Sequence, residues 1–191
     1  MKVQYDNIEI FNRNGATLKE TSWDKDGENP GYMTDSEIHV INFDKVKKSY
    51  IKDMGLSCTP CSNDALYIGE DEKAYFIEFK NGLVDNKTVY NIYNKIYDSL
   101  LIFNDIIQEN ISFCRENVNF ILVYNEGRNS RNEKETNYGD SSKAKISKHF
   151  YAKAKRKYVR FGLERFEKLY FQDVFTYTEK EFENNFLASI N

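Results

Sequence analysis

The sequence predicts an α/β domain built on one mixed β-sheet with helices on its faces, and three observations predict it. Val118-Asn-Phe-Ile-Leu-Val-Tyr124 is almost unbroken in apolar character, as a strand covered on both faces must be. Two strand-like runs, Asp64–Gly69 and Ala74–Lys80, are joined by the charged turn Glu70-Asp-Glu-Lys73. From Asn86 to Gln108, Tyr93, Ile96, Tyr97, Leu100, Phe103 and Ile107 recur at steps of three and four, the period of an amphipathic helix. Strands and helices that alternate along a chain are accommodated by a sheet flanked by helices.

Taken in order, residues 1–33 show weak alternation at Val3, Tyr5, Ile8 and Ile10 and then a Gly, Asn and Asp-rich stretch, which reads as an edge strand or hairpin followed by a loop. The spacing of Ile38, Ile41, Val46, Tyr50 and Met54 predicts a helix over Asp35–Met54, with Thr34 and Glu37 placed as a capping box and Gly55 as its stop. The hairpin, the long helix and the apolar strand follow, making residues 35–124 the core. Residues 125–142 are polar or Gly apart from Tyr138 and read as a long mobile loop. A basic helix is expected over Ser142–Lys157, strands over Tyr158–Phe166 and Leu169–Tyr177, and a short terminal helix opened by Thr178 with Glu181 and packed through Phe182 and Phe186. The 191 residues fit one domain, with the basic helix and C-terminal strands occupying 143–191.

Charge is unevenly distributed. The chain carries 30 acidic and 27 basic side chains, yet Lys143 to Arg160 holds eight Lys or Arg and no acid, leaving 19 basic against 30 acidic elsewhere. Lys143, Lys145, Lys148, Lys153, Lys155, Arg156 and Lys157 could therefore grip a polyanion although the net charge is −3, because local potential governs encounter. The plainer reading is a solvated helix face. No apolar run reaches the ~20 residues of a membrane span, the N-terminal residues lack the apolar core of a signal peptide, and three cysteines do not suggest a secreted disulfide scaffold, so the expected location is the cytoplasm with no membrane partner.

The chemistry-bearing residues are Asp64 and Glu78-Phe79-Lys80. Side chains alternate across a strand, so Glu78 and Lys80 emerge on one face about 6 to 7 Å apart while Tyr75, Ile77 and Phe79 point the other way. If the two runs pair as a hairpin, Asp64 lies across from Glu78. Two carboxylates and a backbone carbonyl suit Mg²⁺ or Mn²⁺, and a lysine beside them can orient a water and offset charge on a phosphate oxygen. The plainer alternative places Glu78 and Lys80 on the solvated face of an edge strand, with Asp64 as a turn residue.

At these residues the chain resembles the PD-(D/E)XK nuclease superfamily, whose motif is an acid at one strand and Glu-x-Lys on the next; its order of helix, strand hairpin, helix and strand is matched by residues 35–124. The resemblance implies a restriction-endonuclease-like core in which Asp64 and Glu78 hold the divalent metal, the Phe79 carbonyl is a further ligand and Lys80 activates water. It also implies an additional acid from the first helix, matched by Glu37, and a polar residue from the following helix, for which Lys87, Asn91 and Lys95 are candidates. Asn63 stands where the name-giving proline would be. The implied function is a Mg²⁺- or Mn²⁺-dependent nuclease acting on DNA, or on RNA, with Lys95 and the basic stretch contacting nucleic acid. The alternative is a nuclease-like protein that no longer cuts and acts on a protein partner as inhibitor, immunity factor or accessory subunit, using its acidic body.

Cys58-Thr-Pro-Cys61 supplies two zinc ligands at most, and Cys114, His39 or His149 would have to converge from distant positions, so zinc is not expected. A thioredoxin-like role wants such a pair between a strand and a helix, whereas this one precedes a strand. The nine glycines form no phosphate-binding loop, and serine-hydrolase and dinucleotide fingerprints are absent.

Overall fold

The computed structural model describes residues 3–24, 30–129 and 159–190. The chain opens with a 3₁₀ turn (Tyr5–Asn7) and a single helical turn, α1 (Glu9–Asn12). Tyr5 and Phe11 stack on Phe103 instead of alternating along an edge strand, so the weak two-residue period near the start is a packing pattern and not a ladder. The edge strand comes later, as β1 (Gly15–Thr17). It is followed by α2 (Leu18–Thr21), which a Thr17–Glu20 capping box opens, and by the two short strands β2 (Trp23–Asp24) and β3 (Gly31–Tyr32), which pair with each other in a separate ribbon.

The helix expected over Asp35–Met54 is divided. His39–Asn42 form strand β4, and α3 spans Phe43–Asp53, capped by the Asn42 side chain on the Lys45 amide. Val40 and Ile41 are β-branched and pair with Ala16 and Gly15 of β1, and Ile41 also pairs with Leu66 of the next strand, and this pairing outweighs the helical spacing. Thr34 and Glu37 accordingly form no capping box: the Thr34 hydroxyl donates to Glu183 Oε1 at 2.6 Å, and Glu37 is exposed. Gly55 does end the helix, at φ 66°.

β5 (Ala65–Ile68), β6 (Ala74–Lys80), α4 (Asn86–Ile107) and β7 (Val118–Tyr124) form where the residue pattern places them, and all seven residues of β7 are buried. A further helix that the residue pattern does not predict, α5 (Ile111–Asn117), capped by the Asn110 side chain on the Ser112 amide, lies between α4 and β7. No strand forms over 159–166, the described part of the first C-terminal strand expected. Phe161 and Gly162 take left-handed backbone conformations (φ 62° and 69°), and Leu163–Phe166 close a 3₁₀ turn. The second strand is shorter than expected, as β8 (Val174–Thr178), because the chain from Leu169 to Asp173 turns through Phe171, whose ring packs on Phe120. Thr178 and Glu181 do form a capping box, and the helical end it opens buries Phe182 and Phe186. Of the loop expected at 125–142, residues 125–129 form a turn held by Asn125 and Asn129; the rest of it, and the basic helix expected to follow, lie outside the described residues.

The six-stranded sheet has the order β1-β4-β5-β6-β7-β8, antiparallel from β1 to β6 and parallel from β6 to β8. On one face Leu66, Phe76, Phe120 and Leu122 meet Phe43 and Val46 of α3 and Ile92, Ile96 and Phe103 of α4. On the other, Ala65, Ile77, Phe79, Ile121 and Val123 meet Leu18, Met33, Phe182 and Leu187. Each fully buried Phe or Leu contributes roughly 1.5 to 3 kcal/mol, so covering both faces stabilises the central strands. Among the described residues no helix is long and apolar enough to cross a membrane.

Candidate active site

β5 and β6 are antiparallel with Ala65 opposite Ile77, and continuing this register by one residue sets Asp64 against Glu78. Alternation then sends both carboxylates, and Lys80 two residues on, to the face covered by α4. The Asp64 carboxylate is fixed by the Phe79 amide, which donates to Oδ2 at 2.8 Å. Lys80 Nζ reaches Glu78 Oε1 at 2.8 Å. From α4, Lys95 Nζ donates to Glu78 Oε1 at 2.6 Å and to Asp64 Oδ1 at 3.0 Å, bridging the two carboxylates. The Asp64, Glu78 and Lys80 of the expected site thus converge, with Lys95 as a fourth member.

The cluster is nearly dry. The Glu78 side chain is fully buried and those of Lys80, Asp64 and Lys95 are 12, 17 and 21 % exposed. Burial, reinforced by the neighbouring Glu78 charge, pushes the Asp64 carboxyl up to about 7, although Lys95, Lys80 and the Phe79 amide act against this. Burial by itself pulls both ammonium groups down; the carboxylates, Glu78 foremost, more than reverse it and hold Lys80 and Lys95 above the ordinary lysine range.

Neighbouring elements hold the cluster in place. α4 carries Ser99 one turn beyond Lys95, and its hydroxyl accepts the Asn63 amide at 2.8 Å; Asp98 accepts the Cys61 amide at 2.7 Å. The chain entering Asp64 is therefore clamped by the helix that delivers Lys95. At the other side of the site, Asn125 and Asn129, just past β7, tie down the turn that follows Lys80: Asn125 Nδ2 donates to Asn81 Oδ1 at 2.8 Å, and Asn129 Oδ1 accepts the Val84 amide at 2.8 Å. Arg160 Nη2 donates to the Asn129 carbonyl at 3.0 Å. Asn129 and Arg160 are thereby joined beside the β6–α4 turn. The site lies at the carboxyl end of β6, which with β7 and β8 makes the parallel half of the sheet; such ends are where open α/β sheets bind ligands.

Other expected members lie elsewhere. Glu37 does not join the cluster: β4 runs toward Asn42, which sits opposite Ala65, so Glu37 lies beyond the far end of that strand, on a surface groove with Thr34, Asp35 and Glu183. The acid that α3 does bring near is Asp44, in its first turn. It accepts hydrogen bonds from Ser62 and Lys47, and although burial raises its pKa, these partners and the Lys95 charge hold it below the ordinary carboxylate range. A helix beginning at Phe43 rather than Asp35 would have pointed to it. Lys87 and Asn91 are exposed on the polar stripe of α4 that ends in Lys95, so only Lys95 reaches the site. Phe79 contributes its amide, and its ring is buried on the opposite face. Lys143, Lys145, Lys148, Lys153, Lys155, Arg156 and Lys157 lie outside the described residues, as does His149. Cys58 and Cys61 are exposed thiols, Cys114 is buried with its Sγ on Asn104, and His39 is exposed. Among the described residues no group of three or more His, Cys, Asp or Glu side chains is arranged to hold a metal.

Two carboxylate features of the cluster bear on whether it could take a hard divalent cation. Glu78 Oε2 is buried and has no hydrogen-bond partner among the described residues, while Glu78 Oε1 and Asp64 Oδ1 converge on one cationic nitrogen. A buried carboxylate oxygen without a donor is costly, and converging carboxylate oxygens are the donor set that Mg²⁺ and Mn²⁺ prefer. No family model matches the chain, and no curated protein or solved structure matches it either.

Proposed function

We propose that the protein is a divalent-metal-dependent phosphodiesterase acting on nucleic acid, with a site of the PD-(D/E)XK type. The observation that carries this reading is the meeting of Asp64, Glu78 and Lys80 at the carboxyl end of β6, joined there by a second lysine from α4. In this reading Asp64 and Glu78 hold Mg²⁺ or Mn²⁺, with the Phe79 carbonyl as a further oxygen ligand. Such an ion, when bound, would supply Lewis-acid stabilisation of the phosphoryl oxygens and lower the pKa of a water. Lys80, held protonated by Glu78, would orient an attacking water and offset charge gathering on the phosphate. The basic stretch from Lys143 to Arg160, whose last residue donates to the Asn129 carbonyl beside the β6–α4 turn, supplies phosphate contacts. The test is cleavage of plasmid, single-stranded DNA and RNA in Mg²⁺ or Mn²⁺ and in chelator. Asp64→Ala and Lys80→Ala should each abolish metal-dependent cleavage while leaving the circular dichroism unchanged. Full activity in either variant would remove the site.

One observation favours a second reading. Two ammonium groups already neutralise the two carboxylates, an arrangement that also serves a nuclease-like protein that binds a protein partner without cutting. Titration of the wild type with Mn²⁺ separates the two: heat that is lost in Glu78→Ala supports the hydrolase, and no heat supports the binding module.

A further inference from the structure

We infer that Lys95 is a built-in counter-ion that occupies the cation position between Asp64 and Glu78, so that a divalent metal binds only by displacing it. The inference rests on the metal-site reading above and adds a competition that sets how tightly the site takes its ion.

With Asp64 ionised, Asp64 and Glu78 against Lys80 and Lys95 make a neutral quartet in a nearly dry pocket. Adding a dication to that quartet would bury a net charge of +2, which is prohibitive at low dielectric unless a cation leaves. Geometry decides which one leaves. Among the described residues Lys80 touches the Glu78 carboxylate and stands on the same strand two residues away, where the β6 ladder fixes it. Lys95 reaches both carboxylates, at 2.6 and 3.0 Å, so its nitrogen lies where an ion ligated by Glu78 Oε1 and Asp64 Oδ1 would sit.

Lys95 also has a way out. It is the most exposed member of the quartet, on a flexible four-carbon stem, and it ends a polar stripe of α4 that continues through Asn91 and Lys87 to the surface. Asp44, which already feels the Lys95 charge, offers a carboxylate for the displaced ammonium. Glu78 Oε2 adds to the case: among the described residues the ammonium satisfies one oxygen of that carboxylate and the other has no donor, a deficit that a cation able to take both oxygens removes.

The experiment uses Mn²⁺ as the probe and needs no cleavage. Isothermal titration in the wild type, Lys95→Met and Lys95→Gln, at about pH 8 so that Asp64 is ionised, should show Mn²⁺ binding at least about tenfold tighter in both variants. Equal or weaker binding in the variants overturns the competition while leaving the metal site standing. No binding in any of the three proteins overturns the metal-site reading itself, and the inference with it. Should the variants fail to fold, lysine acetylation of the wild type read by mass spectrometry decides. Lys95 should be protected without Mn²⁺ and become several-fold more reactive with it, while Lys80 stays protected. Mn²⁺ binding with unchanged Lys95 reactivity overturns the inference.

Discussion

Glu78 is the charge on which the whole cluster depends, so Glu78→Gln is the most informative change to its stability. The substitution keeps the side-chain shape and removes one negative charge that two ammonium groups share, from Lys80 at 2.8 Å and Lys95 at 2.6 Å. At an effective dielectric of about 20, each pair represents roughly 6 kcal/mol of gross attraction. Desolvation of each ion costs several kcal/mol in the opposite sense, so the intact cluster gains little net stability, whereas breaking it strands charge and costs about 3 to 5 kcal/mol. In a chain of this size each kcal/mol lowers Tm by about 2 to 4 °C, which gives an expected fall of roughly 6 to 20 °C. The assay is thermal unfolding by circular dichroism in chelator, so that no cation substitutes for the missing interactions. A double variant, Glu78→Leu with Lys95→Met, should recover much of the loss, because apolar replacement of a whole buried pair is often neutral. A Glu78→Gln protein melting within a degree or two of wild type would show that this carboxylate is not a buried counter-ion, and the charge argument for the site would fail.

Other outcomes follow from the same geometry. Because the folded state raises the Asp64 carboxyl to about 7 from an unfolded value near 4, the folded protein holds the extra proton between these values; the Asp64 contribution to stability is complete below that window and is lost as pH rises through about 7. Denaturant midpoints measured in chelator across this range should therefore fall with pH in wild type, and less steeply in Asp64→Asn. Ser99→Ala removes the acceptor of the buried Asn63 amide and should cost about 1 to 3 kcal/mol by urea unfolding, with Mn²⁺ heat retained. Replacing Lys153, Lys155, Arg156 and Lys157 with Gln should weaken nucleic-acid binding and flatten the dependence of log affinity on log salt by about 0.9 for each duplex-DNA phosphate that is no longer neutralised, measured by fluorescence anisotropy. An unchanged salt slope would remove that stretch from the interface.

Features whose cause is local or periodic can be read directly from the residues. β7 is legible because seven consecutive buried positions leave no room for an amphipathic pattern, and α4 because its apolar residues repeat at helical steps over several turns. The Glu78 and Lys80 pair is legible because alternation along a strand needs no partner to be known, and the Thr178–Glu181 box because capping is made within four residues. Features that depend on a partner remote in sequence emerge only once the chain is folded. Residues 39–42 become a strand because β1 and β5 pair with them on either side, and that displacement of the helix start leaves Glu37 outside the cluster and brings Asp44 near it. Residues 159–173 are rich in strand formers, yet their aromatic rings pack on α4 and β7 instead of entering a ladder. Lys95 is the sharpest case. Its place on a polar stripe of α4 is written in the helical period, but its position between two carboxylates arises because the α4 crossover folds over the end of the β5–β6 hairpin, and a buried charge takes whatever opposite charge the packing brings within reach.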